Sequence, residues 1–106
     1  MAEDNEHELQ EMQILDQNLH NILLQKQAFE LELSETTFAL AEIEKSGEIF
    51  RLVGDLMMKA DKQKVKESLV SKEKILSMRI KSVEKQEDAI SKRLDELRNK
   101  FSKFAK

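Results

Sequence analysis

Residues of the types used in catalysis or metal binding are present, but their spacing does not match a catalytic or metal-binding motif. The chain has no Cys and only two His, His7 and His20, thirteen residues apart. "HELQE" at 7–11 lacks the second His of the zinc-binding HExxH pattern, and two glycines cannot build a nucleotide-binding loop. Ser and Thr are scattered without a His at a suggestive spacing, and carboxylate pairs on exposed helices are usually solvated. We therefore expect no catalytic residue, no metal site and no cofactor, and predict that the protein is not an enzyme.

The composition indicates long helices in a single domain spanning 1–106. Of 106 residues 37% are charged and 40% hydrophobic, with a net charge of −3 and no Pro. Such balanced charge argues against a nucleic-acid partner. No apolar run approaches the ~20 residues of a membrane span, and "MAEDNEHELQ" has no signal-peptide features. Together with the absence of Cys, this predicts a cytoplasmic protein that contacts no membrane.

A heptad of apolar residues predicts a first helix over about 8–45. The a positions are Met12, Leu19, Lys26, Leu33 and Leu40, and the d positions are Leu15, Ile22, Phe29, Thr36 and Ile43. Spacings that alternate between three and four place these residues on one narrow stripe, which is typical of a coiled coil. The following Ser46-Gly47 is expected to end the helix, with Gly47 in the left-handed conformation.

A second heptad predicts another helix over about 62–104, with Asp61 as its N-cap. One set of seam positions is Leu69, Leu76, Val83, Ile90, Leu97 and Phe104; the other is Glu73, Ile80, Glu87, Leu94 and Phe101. Charged residues at three seam positions, Lys26, Glu73 and Glu87, could fix the pairing register or could reach past the seam into water. We expect the second, because the register below places no opposite charge directly across from them.

The segment "IFRLVGDLMMKAD" predicts a β-hairpin over about 48–60. Two short apolar runs flank Gly54-Asp55, and this loop places Leu52 opposite Met57. The same register continued into the helices matches Leu33 with Leu76. The predicted fold is mainly α, a long antiparallel coiled-coil helical hairpin with a short β-hairpin at its bend.

That β-hairpin is incomplete by itself, because two strands are marginal in water and both edges are open. Its apolar residues occupy both faces, and they are Ile49, Phe50, Leu52, Val53, Leu56, Met57 and Met58. Either the strands fold back on the coil or other chains supply neighbouring strands. The second alternative predicts an assembly surface.

Further apolar residues lie outside the seams. Leu24, Leu31 and Phe38 are seven apart on the outer face of the first helix, and Ile75 and Met78 lie outside the seam of the second. They could be scattered exposed residues, which are normal. Alternatively they face a neighbouring subunit or a bound protein.

The predicted elements are a coiled-coil arm, the "IFRLVGDLMMKAD" hairpin and a second arm that contains "LSMRIKSVEKQEDAISKRLDEL". This order of elements and these segments resemble the β-type subunit of prefoldin, most closely its archaeal form. The resemblance implies an ATP-independent chaperone with no cofactor, a hexamer of two α-type and four β-type subunits, and hairpins joined into an intersubunit β-barrel. It further implies that coiled-coil tips hold unfolded proteins and deliver them to a group II chaperonin. The alternative is a structural coiled-coil scaffold that self-assembles through its hairpin and binds one fixed partner.

If the resemblance holds, we expect client binding at the end of the arms where both termini meet. The register places Glu8 opposite Phe101 and Asn5 opposite Phe104, so neither ring meets an apolar partner. The predicted client-binding residues are Leu9, Met12, Leu97, Phe101 and Phe104.

Overall fold

Two long helices and a two-stranded hairpin make up the chain. The computed structural model describes the backbone of residues 2–104 and the side chains of residues 5–103. In chain order the elements are α1 (Ala2–Lys45), β1 (Ile49–Val53), β2 (Leu56–Ala60) and α2 (Lys62–Phe104). The predicted mainly α fold, with its short antiparallel β-hairpin, is confirmed. No described helix is long and apolar enough to cross a membrane.

The chain divides into two compact units, and each helix contributes to both. We call residues 1–28 with 81–106 the terminal unit, and residues 29–80 the hairpin unit. In the terminal unit Val83, Leu94 and Leu97 are buried, and in the hairpin unit Thr36, Ile43 and Leu76 are buried. All six occupy predicted seam positions. The heptads therefore identify which side of each helix is covered by the other.

Thr36 shows how a polar residue is accommodated in the seam. Its side chain is buried, and its hydroxyl donates to the backbone carbonyl of Glu32 at 2.8 Å. Because the hydroxyl is hydrogen-bonded within its own helix, burial does not leave an unsatisfied donor.

The start of α2 follows the prediction. The Oδ1 atom of Asp61 accepts from the backbone N–H groups of Gln63 at 3.0 Å and Lys64 at 3.3 Å. These are donors that a helix leaves free in its first turn, so Asp61 is the N-cap.

The end of α1 differs from the prediction. Gly47 does not adopt a positive φ, and the expectation of a left-handed glycine there was wrong. Ser46 closes the helix instead: its N–H donates to the Ile43 carbonyl at 3.2 Å and its hydroxyl to the Glu42 carbonyl at 2.9 Å. The carbonyl of Ser46 in turn accepts from Lys62 Nζ at 2.6 Å, which ties the end of α1 to the start of α2. The helix therefore ends with the Glu42 and Ile43 carbonyls bonded to Ser46 and without a left-handed residue.

The hairpin has the predicted register, with Leu52 paired to Met57 and Val53 to Leu56. Gly54 has φ 61°, and it is the only residue of the described chain with a positive φ. A positive φ confined to the first of two loop residues is the type II′ arrangement, which matches the twist of the flanking strands.

The helices share that register. In the hairpin unit the Thr37 hydroxyl donates to Glu73 Oε2 at 3.2 Å, and the Arg79 guanidinium lies 5.9 Å from the centre of the Phe29 ring. In the terminal unit Lys100 Nζ pairs with Glu8. In each of these three contacts the α2 residue lies within one position of the residue predicted to be opposite its α1 partner. A slip of one heptad would shift that α2 residue by seven positions. The predicted register is confirmed.

The expectation for the charged seam residues was wrong for Lys26 and Glu87. Lys26 Nζ lies 3.5 Å from Glu87 Oε2 and 3.6 Å from Glu84 Oε2. The side chains of Lys26 and Glu87 are only 22% and 24% exposed. Glu87 lies about one helical turn from the residue directly opposite Lys26, and both side chains are long enough to span that offset. The sequence prediction compared only residues directly opposite each other and therefore missed this pair.

Candidate assembly and client-binding surfaces

The hairpin presents most of its apolar side chains to solvent. Six of the seven predicted assembly residues are between 49% and 68% exposed: Phe50, Leu52, Val53, Leu56, Met57 and Met58. Ile49, at the start of β1, is half-buried. The strands therefore do not fold back to cover themselves on the coil, and the first of the two alternatives for this segment is wrong.

Both faces of this small sheet are apolar, and both of its edges are open. Alternation along the strands places Val53, Leu56 and Met58 on one face and Phe50, Leu52 and Met57 on the other. In the described part of the chain β1 and β2 have only each other as partners. Each strand therefore retains a row of unpaired backbone groups along its outer edge. A sheet with this structure can be completed by strands from other chains.

A groove of about 320 Å³ lies where the strands meet the first turns of α2. Its apolar lining comes from Ile49, Phe50, Ala60, Val65 and Leu69. The sequence analysis did not assign Val65 to this surface. An apolar residue outside the heptad seam is a signal that could have identified it, but its place in the groove depends on where the strands lie. The groove extends the exposed apolar area of the hairpin and gives an incoming side chain a place to pack.

At the end of the terminal unit the predicted client-binding residues divide into two kinds. Leu9 is 48% exposed, and Met12 and Phe101 are half-buried, so these three offer apolar surface. Leu97 is only 1% exposed, so it supports that surface from beneath and does not form part of it. The side chain of Phe104 lies outside the described residues.

Charged residues brace the two helices close to this surface. Arg93 makes a bidentate contact with Glu11, with Nε 2.7 Å from Oε1 and a terminal nitrogen 3.0 Å from Oε2. This hydrogen bonding holds the pKa of Glu11 below its usual value. Arg98 donates to Asp16 at 3.2 Å on another part of the coil. The half-buried ring of Phe101 is thus held on paired helices and not on a loose end.

Glu8, opposite Phe101, is only partly satisfied by hydrogen bonds. One carboxylate oxygen accepts from Lys100, while the other, Oε2, is buried without a hydrogen-bond partner within the described residues. An unpartnered buried oxygen costs free energy, and the residue of α1 opposite Phe101 is this carboxylate and not an apolar side chain. Phe101 is therefore less fully covered by apolar side chains than the seam residue Leu97 beneath it.

The described side chains contain no group of three or more His, Asp or Glu residues arranged to hold a metal ion. The residues singled out for possible zinc chemistry, His7 and His20, are both exposed. What the chain brings together is apolar surface at the hairpin and near the termini.

Comparison with known proteins gives a consistent result. The model of the prefoldin-subunit family matches residues 6–106. The prefoldin subunit beta of Thermococcus onnurineus is 41% identical over 88 residues, covering 80% of this chain and 76% of that protein. That of Saccharolobus islandicus (strain L.S.2.15) is 31% identical over 100 residues, covering 92% and 79%. The crystal structure of the prefoldin beta subunit from Thermococcus strain KS-1 superposes with a TM-score of 0.82 at 31% identity, covering 92% of this chain and 88% of that one.

Proposed function

The chain belongs to the prefoldin family of chaperone subunits, and on that premise we propose that it is a β-type subunit that holds unfolded proteins without ATP and delivers them to a group II chaperonin. Membership of this family implies assembly with other prefoldin subunits. The proposed assembly contains two α-type and four β-type subunits, whose hairpins join into intersubunit β-barrels.

The observation that carries the proposal is the exposed hairpin. Six large apolar side chains are exposed on a sheet of two five-residue strands. Their exposure to water in the free chain is unfavourable. Strands added at both open edges would satisfy the free backbone groups, and a closed barrel would cover the apolar residues of one face. The seven assembly residues from Ile49 to Met58 are assigned this role.

Client binding is proposed for the surface formed by Leu9, Met12 and Phe101, together with Phe104 and with Leu97 beneath. Apolar area removed from water contributes about 25 cal/mol per Å², so one half-exposed ring binds an unfolded chain only weakly. Several arms acting on one client raise the overall affinity through effective concentration. Weak individual contacts also allow release to a chaperonin.

The test of client binding replaces the two rings at the end of α2. Phe101→Ser with Phe104→Ser should weaken the suppression of aggregation of a chemically unfolded protein, while assembly size and helix content stay normal. The comparison variant is Phe38→Ser, which removes a ring that is 67% exposed in the hairpin unit and tests the outer face of α1 as the alternative client surface. Protection that survives loss of the terminal rings and falls with Phe38→Ser would place the client surface on the outer face of α1.

The same assay separates a holdase from a scaffold. A scaffold that binds one fixed partner should protect no unrelated unfolded protein at any concentration of the assembly. For delivery, addition of a group II chaperonin and ATP should convert the held client into folded protein. Release without an increase in folding would contradict that part of the proposal.

A further inference from the structure

In the hairpin unit, α1 carries a second apolar stripe on the side away from α2. Its members are spaced three and four apart and are all exposed: Leu31, Ser34, Phe38 and Ala41. Leu31 and Phe38 are 63% and 67% exposed. The charged residues that flank this stripe are all acidic, and they are Glu30, Glu35, Glu42 and Glu44. We call it the acidic seam. Its spacing is that of a stripe that another helix covers.

The outer side of α2 carries a matching stripe with the opposite charge. Ser71, Ile75 and Met78 follow the same alternating spacing, and Ile75 and Met78 are 48% and 70% exposed. Here the charged flanking residues are all basic, and they are Lys72, Lys74 and Arg79. We call this stripe the basic seam.

The two seams lie on opposite sides of the two-helix coil and at the same level along it. In the register of the coil Leu31 is level with Met78, Ser34 with Ile75 and Phe38 with Ser71. A second copy placed alongside in the same orientation therefore brings the acidic seam of one chain against the basic seam of the other, with α1 and α2 antiparallel. Two of the three layers then place a large side chain against a serine, which allows the helices to approach closely.

We propose that these seams bind each other, so that the hairpin units of neighbouring copies dock side by side through α1 of one and α2 of the next. Charge selects this pairing: two acidic seams would oppose Glu to Glu, and two basic seams would oppose Lys and Arg to their like. Only the mixed pairing joins opposite charges along both flanks. Among the described residues Glu30, Glu35 and Lys74 form no ion pair within the chain, so docking does not require them to leave another partner. Of the other flanking charges, Glu42, Glu44 and Lys72 already pair with residues of their own chain.

Three layers form a small contact that would not hold free chains together. The docking therefore rests on the proposed assembly, in which the hairpins keep copies next to one another and raise their effective concentration. The contact is head-to-tail, so each docked pair leaves one acidic seam and one basic seam free for further copies. It would set how close together the arms of adjacent copies lie near the hairpins.

The test is a disulfide between copies. Leu31→Cys and Met78→Cys are introduced into one chain, which is assembled with an α-type prefoldin subunit, sized, and mildly oxidised. The two cysteines lie on opposite sides of their own coil and cannot join within one chain, because a disulfide needs Cα atoms within about 7 Å. The double variant should give dimers and longer ladders of this chain, and each single variant should give none.

A charge exchange tests the basis of recognition. Glu30→Lys should lower the crosslinked fraction of the double-cysteine chain about two- to fivefold, the effect expected of an exposed ion pair. Lys74→Glu in the same chain should restore it, because residues 30 and 74 lie on the same flank of the docked seams, at the offset at which Lys72 meets Glu32 within the chain, and would again carry opposite charges.

The outcomes separate this inference from the proposed function. Absence of crosslinking in an assembly of normal size would overturn lateral docking and leave the proposed function standing. Crosslinking of the single variants, or crosslinking only to the α-type subunit, would also overturn it. If the unmodified chain does not assemble with an α-type subunit at all, both proposals fail.

Discussion

The two glycines of this chain have opposite structural requirements. Gly54 sits in the hairpin loop with φ 61°, a conformation that disfavours residues with a Cβ. Gly47, in the connection between α1 and β1, has no positive φ, and a Cβ added there would meet no atom within 4 Å.

Gly54→Ala should therefore destabilise the hairpin by about 1 kcal/mol, since a left-handed residue with a Cβ costs roughly 1–2 kcal/mol. Gly47→Ala is the matched control and should be neutral, or stabilising by up to about 1 kcal/mol through a less flexible unfolded chain. Thermal unfolding of the assembled protein measures both. Equal losses in the two variants would contradict the II′ assignment.

The ion pair of Lys26 with Glu84 and Glu87 is a polar contact within an apolar seam. Replacing one partner leaves the other without its opposite charge, whereas replacing both by apolar residues is often neutral or stabilising. Lys26→Leu should therefore lower the unfolding temperature, at a cost of about 1 kcal/mol after allowance for partial exposure.

Lys26→Leu with Glu87→Leu should recover the unfolding temperature or raise it above that of the unmodified chain. Circular dichroism on heating measures all the variants, and Glu87→Leu completes the cycle. A double variant less stable than the unmodified chain would show that the charges contribute net stability.

At the scale of elements, the pairing of α1 with α2 is the most direct prediction of the coil. Cysteines at Leu33 and Leu76 share one layer and should form a disulfide within a single chain under mild oxidation. Gel mobility under non-reducing conditions reports the closed loop. Leu33 with Val83 is the matched control, because it requires a slip of one heptad, and its preferential crosslinking would rule out the register.

The strands differ from the helices in what they need from outside the chain. Each helix covers its seam with the other helix, and Leu76 and Leu94 are 2% and 1% exposed as a result. The strands leave their apolar residues uncovered, so their stability depends on partners. Exposed apolar residues and open edges at one place also make the unassembled hairpin the segment most prone to aggregation.

At the scale of the whole molecule, assembly should depend on the hairpin and not on apolar exposure in general. Leu52→Asp with Met57→Asp places two charges on one strand face, and burying each in a barrel would cost several kcal/mol. We expect loss of the complex with an α-type subunit, measured by light scattering after gel filtration, with helix content by circular dichroism largely retained.

Ile14→Asp with Leu24→Asp is the control for that experiment. These side chains are 60% and 53% exposed on α1, comparable to the hairpin residues, and should accept charge without loss of assembly. A normal complex from the Leu52, Met57 variant would remove the hairpin from the interface. Loss of assembly in both variants would show that the effect is not specific to the strands.

Much of this fold could be predicted from the sequence because it is built from local rules. Period-seven spacing fixes which side of each helix is covered, and a two-residue loop fixes which strand residues pair. Once Leu52 is opposite Met57, the continuous chain carries the same register into the helices. The family followed from this order of elements, and comparison with known proteins confirmed it.

Only the tertiary structure decided how individual side chains use that framework. It buried Leu97 and left Phe101 half-covered, although both lie on the same heptad stripe, because the stripe runs out of apolar partners near Glu8. It joined Lys26 to Glu87, because long side chains reach partners that are not directly opposite. It closed α1 with Ser46 and Lys62, so Gly47 needs no special conformation. Heptad spacing assigns a residue to a face, whereas its burial and its partners depend on what the other elements place beside it.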